Sequence, residues 1–471
     1  MKLEFFIFLF AYFIIILFVG LFFSKRMKNL EDYFLASRNL PAFLVYISLA
    51  ASWLGATSTL VSVDEAFRQG VSSFWVMGMP AVITVLLFGF LLARPIRRLP
   101  IITLPDLVEM RYGRVVRHLA SLLIVWYMVV LASSQMVAVG KFLKLFLGTS
   151  YFYSLLLGTS IVLVYSIFGG FFSVVITDSI QFFLLSAGVL SLFFFLFGTS
   201  SLKEISLLAS RLGRDDYFNF LFDFKKNFLI LLSFTLAWII SPIAWQRIQA
   251  ARTARKAQQG LFAASGTFFL LYWFIVFIGM LSLPLFSSQS LEGPILSELI
   301  SSRTGFFLSG VLFVAVVAAI MSTMDTAINT GALALTRDFY QQIFSSSGVK
   351  SIVSISRLSS FLVGALAFLI ATRFQSVLKT LGLASEIMAE GLFIPGIAMI
   401  FLKKKLPMAG FLSLVLGGGY SIVGFLCEIK LLKFAWPQWP YSVPYGLAIS
   451  LAGFIIGSTV DLYLKRTQNS K

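Results

Sequence analysis

Ala319, Ser322 and Thr323 stand at i, i+3 and i+4 in the run Ala318-Ala-Ile-Met-Ser-Thr-Met-Asp-Thr326. On a helix this spacing gathers two hydroxyls, and the carbonyl beside a small side chain, on one face. Neutral oxygens gathered at one point suit a hard cation that has to be bound and then released. The plainer alternative is that both hydroxyls bond back to the preceding turn, as they commonly do in membrane helices. Asp325 weighs against it, because a carboxylate at membrane depth costs about 2.5–3.5 kcal/mol on insertion scales and is rarely kept without use.

Two further stretches carry chemistry. In Ser48-Leu-Ala-Ala-Ser-Trp-Leu-Gly-Ala-Thr-Ser-Thr59 small residues, hydroxyls and Gly55 replace bulky aliphatics. Such a composition lets a helix unwind and turn carbonyls toward a cavity; it serves close helix packing equally well. In Trp238-Ile-Ile-Ser-Pro-Ile-Ala-Trp245, Ser241-Pro242 interrupts an apolar run. The proline removes a hydrogen bond, kinks the helix and frees carbonyls on the preceding turn.

The elements that position these residues are membrane helices. Hydrophobic residues make up 59% of the 471 and charged residues 12%, a composition from which a water-soluble surface cannot be drawn. The formal charge of +17 is spread in short Lys/Arg runs between apolar stretches, which excludes the single basic patch of a nucleic-acid binder. One Cys (Cys427) and one His (His118) exclude a disulfide framework and a Cys/His metal centre. With His118 in a basic segment, the constellation of an intramembrane hydrolase is missing, and no enzyme is expected.

Runs of about 20 apolar residues are needed per crossing, and about 13 are expected, near 3–23, 42–70, 73–98, 116–146, 151–169, 171–197, 228–245, 258–285, 305–335, 355–374, 380–402, 406–427 and 441–464. Lys25, Arg26 and Lys28 follow the first, which reads as a retained helix and not as a cleaved signal. With the N-terminus outside and the C-terminus inside, 23 of the 37 Lys and Arg fall in cytoplasmic segments, as the positive-inside rule favours. No fused soluble domain is expected.

The order of local motifs resembles the sodium:solute symporter family. Tyr33-Phe-Leu-Ala-Ser-Arg-Asn-Leu-Pro41, Leu104-Pro-Asp-Leu-Val-Glu-Met-Arg-Tyr-Gly113, Tyr165-Ser-Ile-Phe-Gly-Gly-Phe-Phe-Ser-Val-Val-Ile-Thr-Asp-Ser-Ile-Gln181 and Trp245-Gln-Arg-Ile-Gln-Ala-Ala-Arg252 join the two clusters at Ser48–Thr59 and Ala318–Thr326. The resemblance implies an all-α, LeuT-type 5+5 inverted repeat, residues 42–197 and 228–402, with one extra helix before it (3–23) and two after it (406–464).

It also implies a sodium ion bound by the carbonyls of Ala51, Leu54 and Ala319 and the hydroxyls of Ser322 and Thr323. Asp178 is similar to an aspartate on the family's inward sodium path; the alternative is a charge near a helix N-terminus at the cytoplasmic face. By position, solute contacts are expected from Trp53, Thr57, Ser58, Trp75, Thr235, Trp238 and Ser241. Asp64, with Glu65, is placed at the outer mouth, and Glu386 and Glu390, one turn apart, either line the cavity or pair with loop cations. No Lys or Arg is expected at mid-membrane.

The function implied is sodium-coupled symport of a small organic solute by alternating access, without a cofactor other than the coupling ion, in a plasma or bacterial inner membrane, as a monomer or weak oligomer among membrane lipid. Its rivals are proton coupling through Asp325 or Asp64, and a solute sensor that does not transport.

Overall fold

A computed structural model describes residues 2–24, 35–99, 101–168, 171–198, 201–287, 293–343, 349–374, 376–402 and 404–469. Within them every regular element is helical, apart from one isolated bridge between Leu40 and Ala251. Lys25, Arg26, Lys28 and the Gly169–Gly170 pair lie outside the described residues.

The helices follow the apolar runs. The first half comprises α1 (Lys2–Ser24), α2 (Ala42–Trp53), α3 (Ser62–Gln69), α4 (Gly78–Leu87), α5 (Arg114–Leu147), α6 (Tyr151–Phe168) and α7 (Phe171–Phe197). The second comprises α8 (Phe224–Trp238), α9 (Pro242–Ala250), α10 (Ala254–Leu281), α11 (Phe306–Leu333), α12 (Val349–Ala371) and α13 (Val377–Glu386), followed by α14 (Pro407–Glu428) and α15 (Val443–Asn469). Among the described residues nine helical runs are long and apolar enough to cross a bilayer; α8 and α9, bent by 46°, make a tenth, and Leu3–Val19, Ala42–Trp53 and Tyr151–Ile167 are shorter apolar helices.

α5 is the hub. It packs against α6, α11, α12 and α13, and 89% of its most apolar window is buried, against 22% for α15, which pairs chiefly with α14 at the periphery. A helix enclosed by others can carry polar groups inward, and α5 does so with Tyr127, Ser133, Ser134 and Gln135, all buried.

Three stretches between the expected spans contain short helices: Leu104–Tyr112, Leu202–Arg211 and Ile295–Ser302. The first two begin at capping boxes, which satisfy the free amides of a helix start. Asp106 accepts from the Thr103 N–H at 3.0 Å. Ser201 and Glu204 exchange N–H bonds at 3.2 and 2.9 Å.

Candidate functional site

α2 ends at Trp53 because Leu54 leaves the helical region (φ −94°, ψ 63°), and the chain resumes as a π-helical turn over Thr57–Val61. An interrupted helix inside a membrane needs partners for its released groups. Gln135 of α5 takes the Ala56 N–H at 2.9 Å. Ser58 and Thr59 donate to the carbonyls of Trp53 and Gly55 at 2.9 and 3.1 Å. The Ala51 carbonyl accepts from the Ser322 hydroxyl at 3.0 Å, and the same hydroxyl reaches Ala319 O at 2.9 Å.

Thr323 meets the break one residue further on. A Cβ added to Gly55 would press on the Thr323 hydroxyl and come 2.7 Å from Gln135 Oε1, so only glycine allows this approach. The Thr323 hydroxyl is buried and has no hydrogen-bond partner among the described residues. Ala51, Ala319 and Ser322 thus meet at one point, with Thr323 against the backbone beside Leu54.

The second break, Ile239–Ser241, separates α8 from α9. Pro242 occupies the first position of α9, where its missing N–H costs nothing. Trp245 Nε1 donates to the freed Ile239 carbonyl at 3.1 Å.

Between the two breaks lies a cavity of about 30 Å³, room for about one water. It is lined by Ser52, Trp53, Thr57, Met77, Tyr127, Leu131, Gln135, Trp238, Ser241, Ile243, Thr323 and Leu381. Trp53 and Trp238 lie against each other with ring centroids 5.2 Å apart, Phe268 stacks on Trp53 at 6.1 Å and Phe234 on Trp238 at 5.1 Å. The aromatic layer therefore closes over a contracted space.

Of the expected solute contacts, Trp53, Thr57, Trp238 and Ser241 line this cavity together with Thr323. Three lie elsewhere. Ser58 turns its hydroxyl to Tyr272, 2.6 Å away. Thr235 is buried outside the lining, its hydroxyl without a hydrogen-bond partner among the described residues. Trp75 is tied to the outer connection, donating to Phe220 O at 2.9 Å and packing on Phe220 and Phe224.

Asp64 is not a free acid at the mouth: it accepts from the Ile295 N–H at 2.7 Å and so caps the helix Ile295–Ser302. Glu386 and Glu390 face neither the cavity nor loop cations. They accept from Ser442 and Ser421 and are buried against α14 and α15.

Arg247, which falls in a segment expected to be cytoplasmic, is buried within the bent pair α8–α9. It is 1% exposed, with Asp178, itself fully buried, 3.5 Å away. Its guanidinium donates to Ser52 Oγ at 2.8 Å and Thr326 Oγ1 at 3.3 Å and lies over the Phe171 ring at 5.1 Å. Asp178 accepts from Ser48 and Ser52 at 3.2 Å each. It sits two turns into α7, so the helix-terminus alternative does not describe it.

Asp325, fully buried, lies near both Asp178 and Arg247, beside the Tyr165 hydroxyl. Neither of its oxygens has a well-formed hydrogen bond among the described residues, and the same holds for Asp178 Oδ1 and Gln181 Oε1. Two aspartate side chains share one guanidinium here, and the cluster is rich in unused acceptors.

A second Arg-centred network lies where the Leu104–Tyr112 helix meets α5 and the end of α11. Arg117 pairs with Asp106 at 2.9 Å, with Asp338 at 3.1 Å and with Glu109, while Thr103 donates to Asp338 at 2.8 Å. On the same side Leu40 exchanges backbone bonds with Ala250 and Arg252 at 2.9 Å each, joining the entry of α2 to the exit of α9.

Comparison with known proteins agrees with this architecture. The model of the Sodium:solute symporter family matches residues 33–418. A sodium/glucose cotransporter of Vibrio parahaemolyticus is 28% identical over 92% of this chain and 85% of its own length. The osmoregulated proline transporter OpuE of Bacillus subtilis is 25% identical over 90% and 89%. Among solved structures, a Na+-coupled sialic acid symporter in a substrate-bound outward-open state superposes with a TM-score of 0.80 at 20% identity, covering 97% of each chain. Mhp1, a nucleobase-cation symporter with bound bromovinylhydantoin, gives 0.57 at 14% identity over 93% of this chain and 96% of its own.

Proposed function

This chain belongs to the sodium:solute symporter family, and from that premise we propose how its residues divide the work of sodium-coupled solute symport. It is an integral, multi-pass membrane carrier of LeuT-type fold and not an enzyme. Its partners are sodium and a small-molecule solute.

Sodium binds to the carbonyls of Ala51, Leu54 and Ala319 and the hydroxyls of Ser322 and Thr323. The observation that carries this is the Ser322 hydroxyl 3.0 Å from the Ala51 carbonyl, at the point where α2 stops. These oxygens are neutral, so the ion is held strongly enough to bind and weakly enough to leave. Asp178 and Asp325, with their unused acceptors, carry the ion away from this point, and Arg247 holds Asp178 in place.

The solute occupies the cavity between the breaks. Its lining offers tryptophan faces, hydroxyls and the Gln135 amide, and Arg247, which reaches Ser52 of that lining, is already engaged by Asp178. A neutral or zwitterionic polar solute with one apolar face fits this chemistry. The inverted repeats are residues 42–197 and 228–402, the N-terminus lies outside, and the membrane is the plasma or bacterial inner membrane.

Coupling follows from differential affinity: sodium shifts the equilibrium only as far as it binds one conformation better than the other. Uptake into proteoliposomes, with an inward sodium gradient and without one, tests the reading across a panel of neutral and anionic solutes. Gradient-driven uptake of a neutral solute is expected; uptake indifferent to sodium overturns it.

A further inference from the structure

An open trough of about 1090 Å³ runs between α5, α12 and α14, away from the solute cavity. Its walls are the membrane faces of three spanning helices: Leu122, Trp126 and Val129 of α5, Leu366 and Leu369 of α12, and Phe425 of α14. Leu122, Leu366 and Leu369 are 50 to 61% exposed, so the trough opens sideways into the bilayer, where acyl chains are the available apolar matter. Trp126 stands edge-on to Phe425, with ring centroids 4.9 Å apart, and gives the trough a rigid aromatic floor.

Its mouth is basic. Arg373, Lys379 and Lys430 line the end where α12 and α14 finish and α13 begins. Lys379 is neutralised by Glu428, 2.5 Å away. Arg373 and Lys430 are exposed and have no ion-pair partner among the described residues. An apolar channel along three spanning helices, ending in two uncommitted cations where two of those helices finish, is complementary to one kind of molecule.

We propose that this trough is a specific site for an anionic phospholipid, with an acyl chain against Leu122, Val129, Leu366 and Leu369 and the phosphate between Arg373 and Lys430. The trough touches α5, the hub of the bundle, and α13, which contributes Leu381 to the solute cavity. A lipid seated there therefore braces the element on which one wall of that cavity rests.

The test uses the full chain in detergent, with phosphatidylglycerol or phosphatidylcholine added, read as the shift in thermal melting and as lipid retained in native mass spectrometry. Phosphatidylglycerol is expected to raise the melting temperature more than phosphatidylcholine. Arg373→Gln with Lys430→Gln is expected to lower phosphatidylglycerol affinity roughly thirtyfold, the effect of removing two surface cations, and to leave phosphatidylcholine unchanged. An unaltered melting shift on adding sodium shows that the variant is folded. Equal shifts by the two lipids in the unmodified protein, or full retention of phosphatidylglycerol by the double variant, would overturn the assignment.

Discussion

Arg247 of α9 and Asp178 of α7 form an ion pair at 3.5 Å, both sealed from solvent, beside Ser52, which lines the cavity between the two breaks. Breaking a buried pair by removing one member leaves an uncompensated charge and costs about 3–5 kcal/mol. Arg247→Ala and Asp178→Asn are each expected to lower thermal stability and uptake sharply. Because the two act as a unit, the double variant should lose much less than the sum of the singles. A double-mutant cycle on melting in detergent checks this; strict additivity would mean the pair is incidental.

Gly55 is the one residue that allows the Thr323 hydroxyl to lie against the broken backbone. Gly55→Ala is expected to push Thr323 and Gln135 away and to raise the sodium concentration for half-maximal uptake by about tenfold, the loss of roughly one hydrogen-bond-sized interaction. Solute-binding measurements at saturating sodium should change far less. The sodium dependence of uptake, followed for this variant, decides the matter.

Trp53 and Trp75 test the proposed solute site against its surroundings. Trp53 lines the cavity and stacks in its aromatic layer, whereas Trp75 anchors the outer connection to Phe220. Trp53→Ala is expected to abolish solute binding while leaving the sodium-induced melting shift. Trp75→Phe, which loses one hydrogen bond, should cost about 1 kcal/mol of stability and leave solute affinity alone. Isothermal binding and thermal melting on the two variants distinguish these roles.

Glu390 is a buried carboxylate whose hydrogen-bond donor is Ser421, with Gly417 and Gly446 packed closely against it. Burying a carboxyl without a cationic partner costs free energy that its neutral amide isostere avoids. Glu390→Gln, which keeps an acceptor for Ser421, is expected to melt at or above the temperature of the unmodified protein and to transport normally. Loss of uptake with intact folding would give Glu390 a part in the ion path instead.

The apolar runs made the helices legible, and Gly55 and Ser241-Pro242 made both breaks legible, because a helix can be interrupted only where small residues or proline permit it. Arg247 was not. It stands at the end of an apolar run beside Arg252 and Arg255, where a topology signal and a buried ion-pair partner look alike until Asp178 is seen across from it. Gln135 left a clue, an amide after two serines in the apolar middle of a 34-residue helix, yet its use depends on the Ala56 N–H that only the fold brings near. Trp439 is similar: it inserts between Ser233, at 3.0 Å, and Gly382, where a Cβ would lie 2.6 Å from the indole. Nothing local in Trp-Pro-Gln-Trp-Pro announces that contact.

The central claim is that sodium is held where α11 meets the broken α2. Sodium binding to purified Ser322→Ala with Thr323→Ala, set beside the unmodified protein in the same detergent, tests it most directly through the melting shift on exchanging choline for sodium. The account predicts a clear shift in the unmodified protein and none in the double variant, whose fold is verified by its circular dichroism. An undiminished sodium shift in that variant would contradict it and place the ion elsewhere.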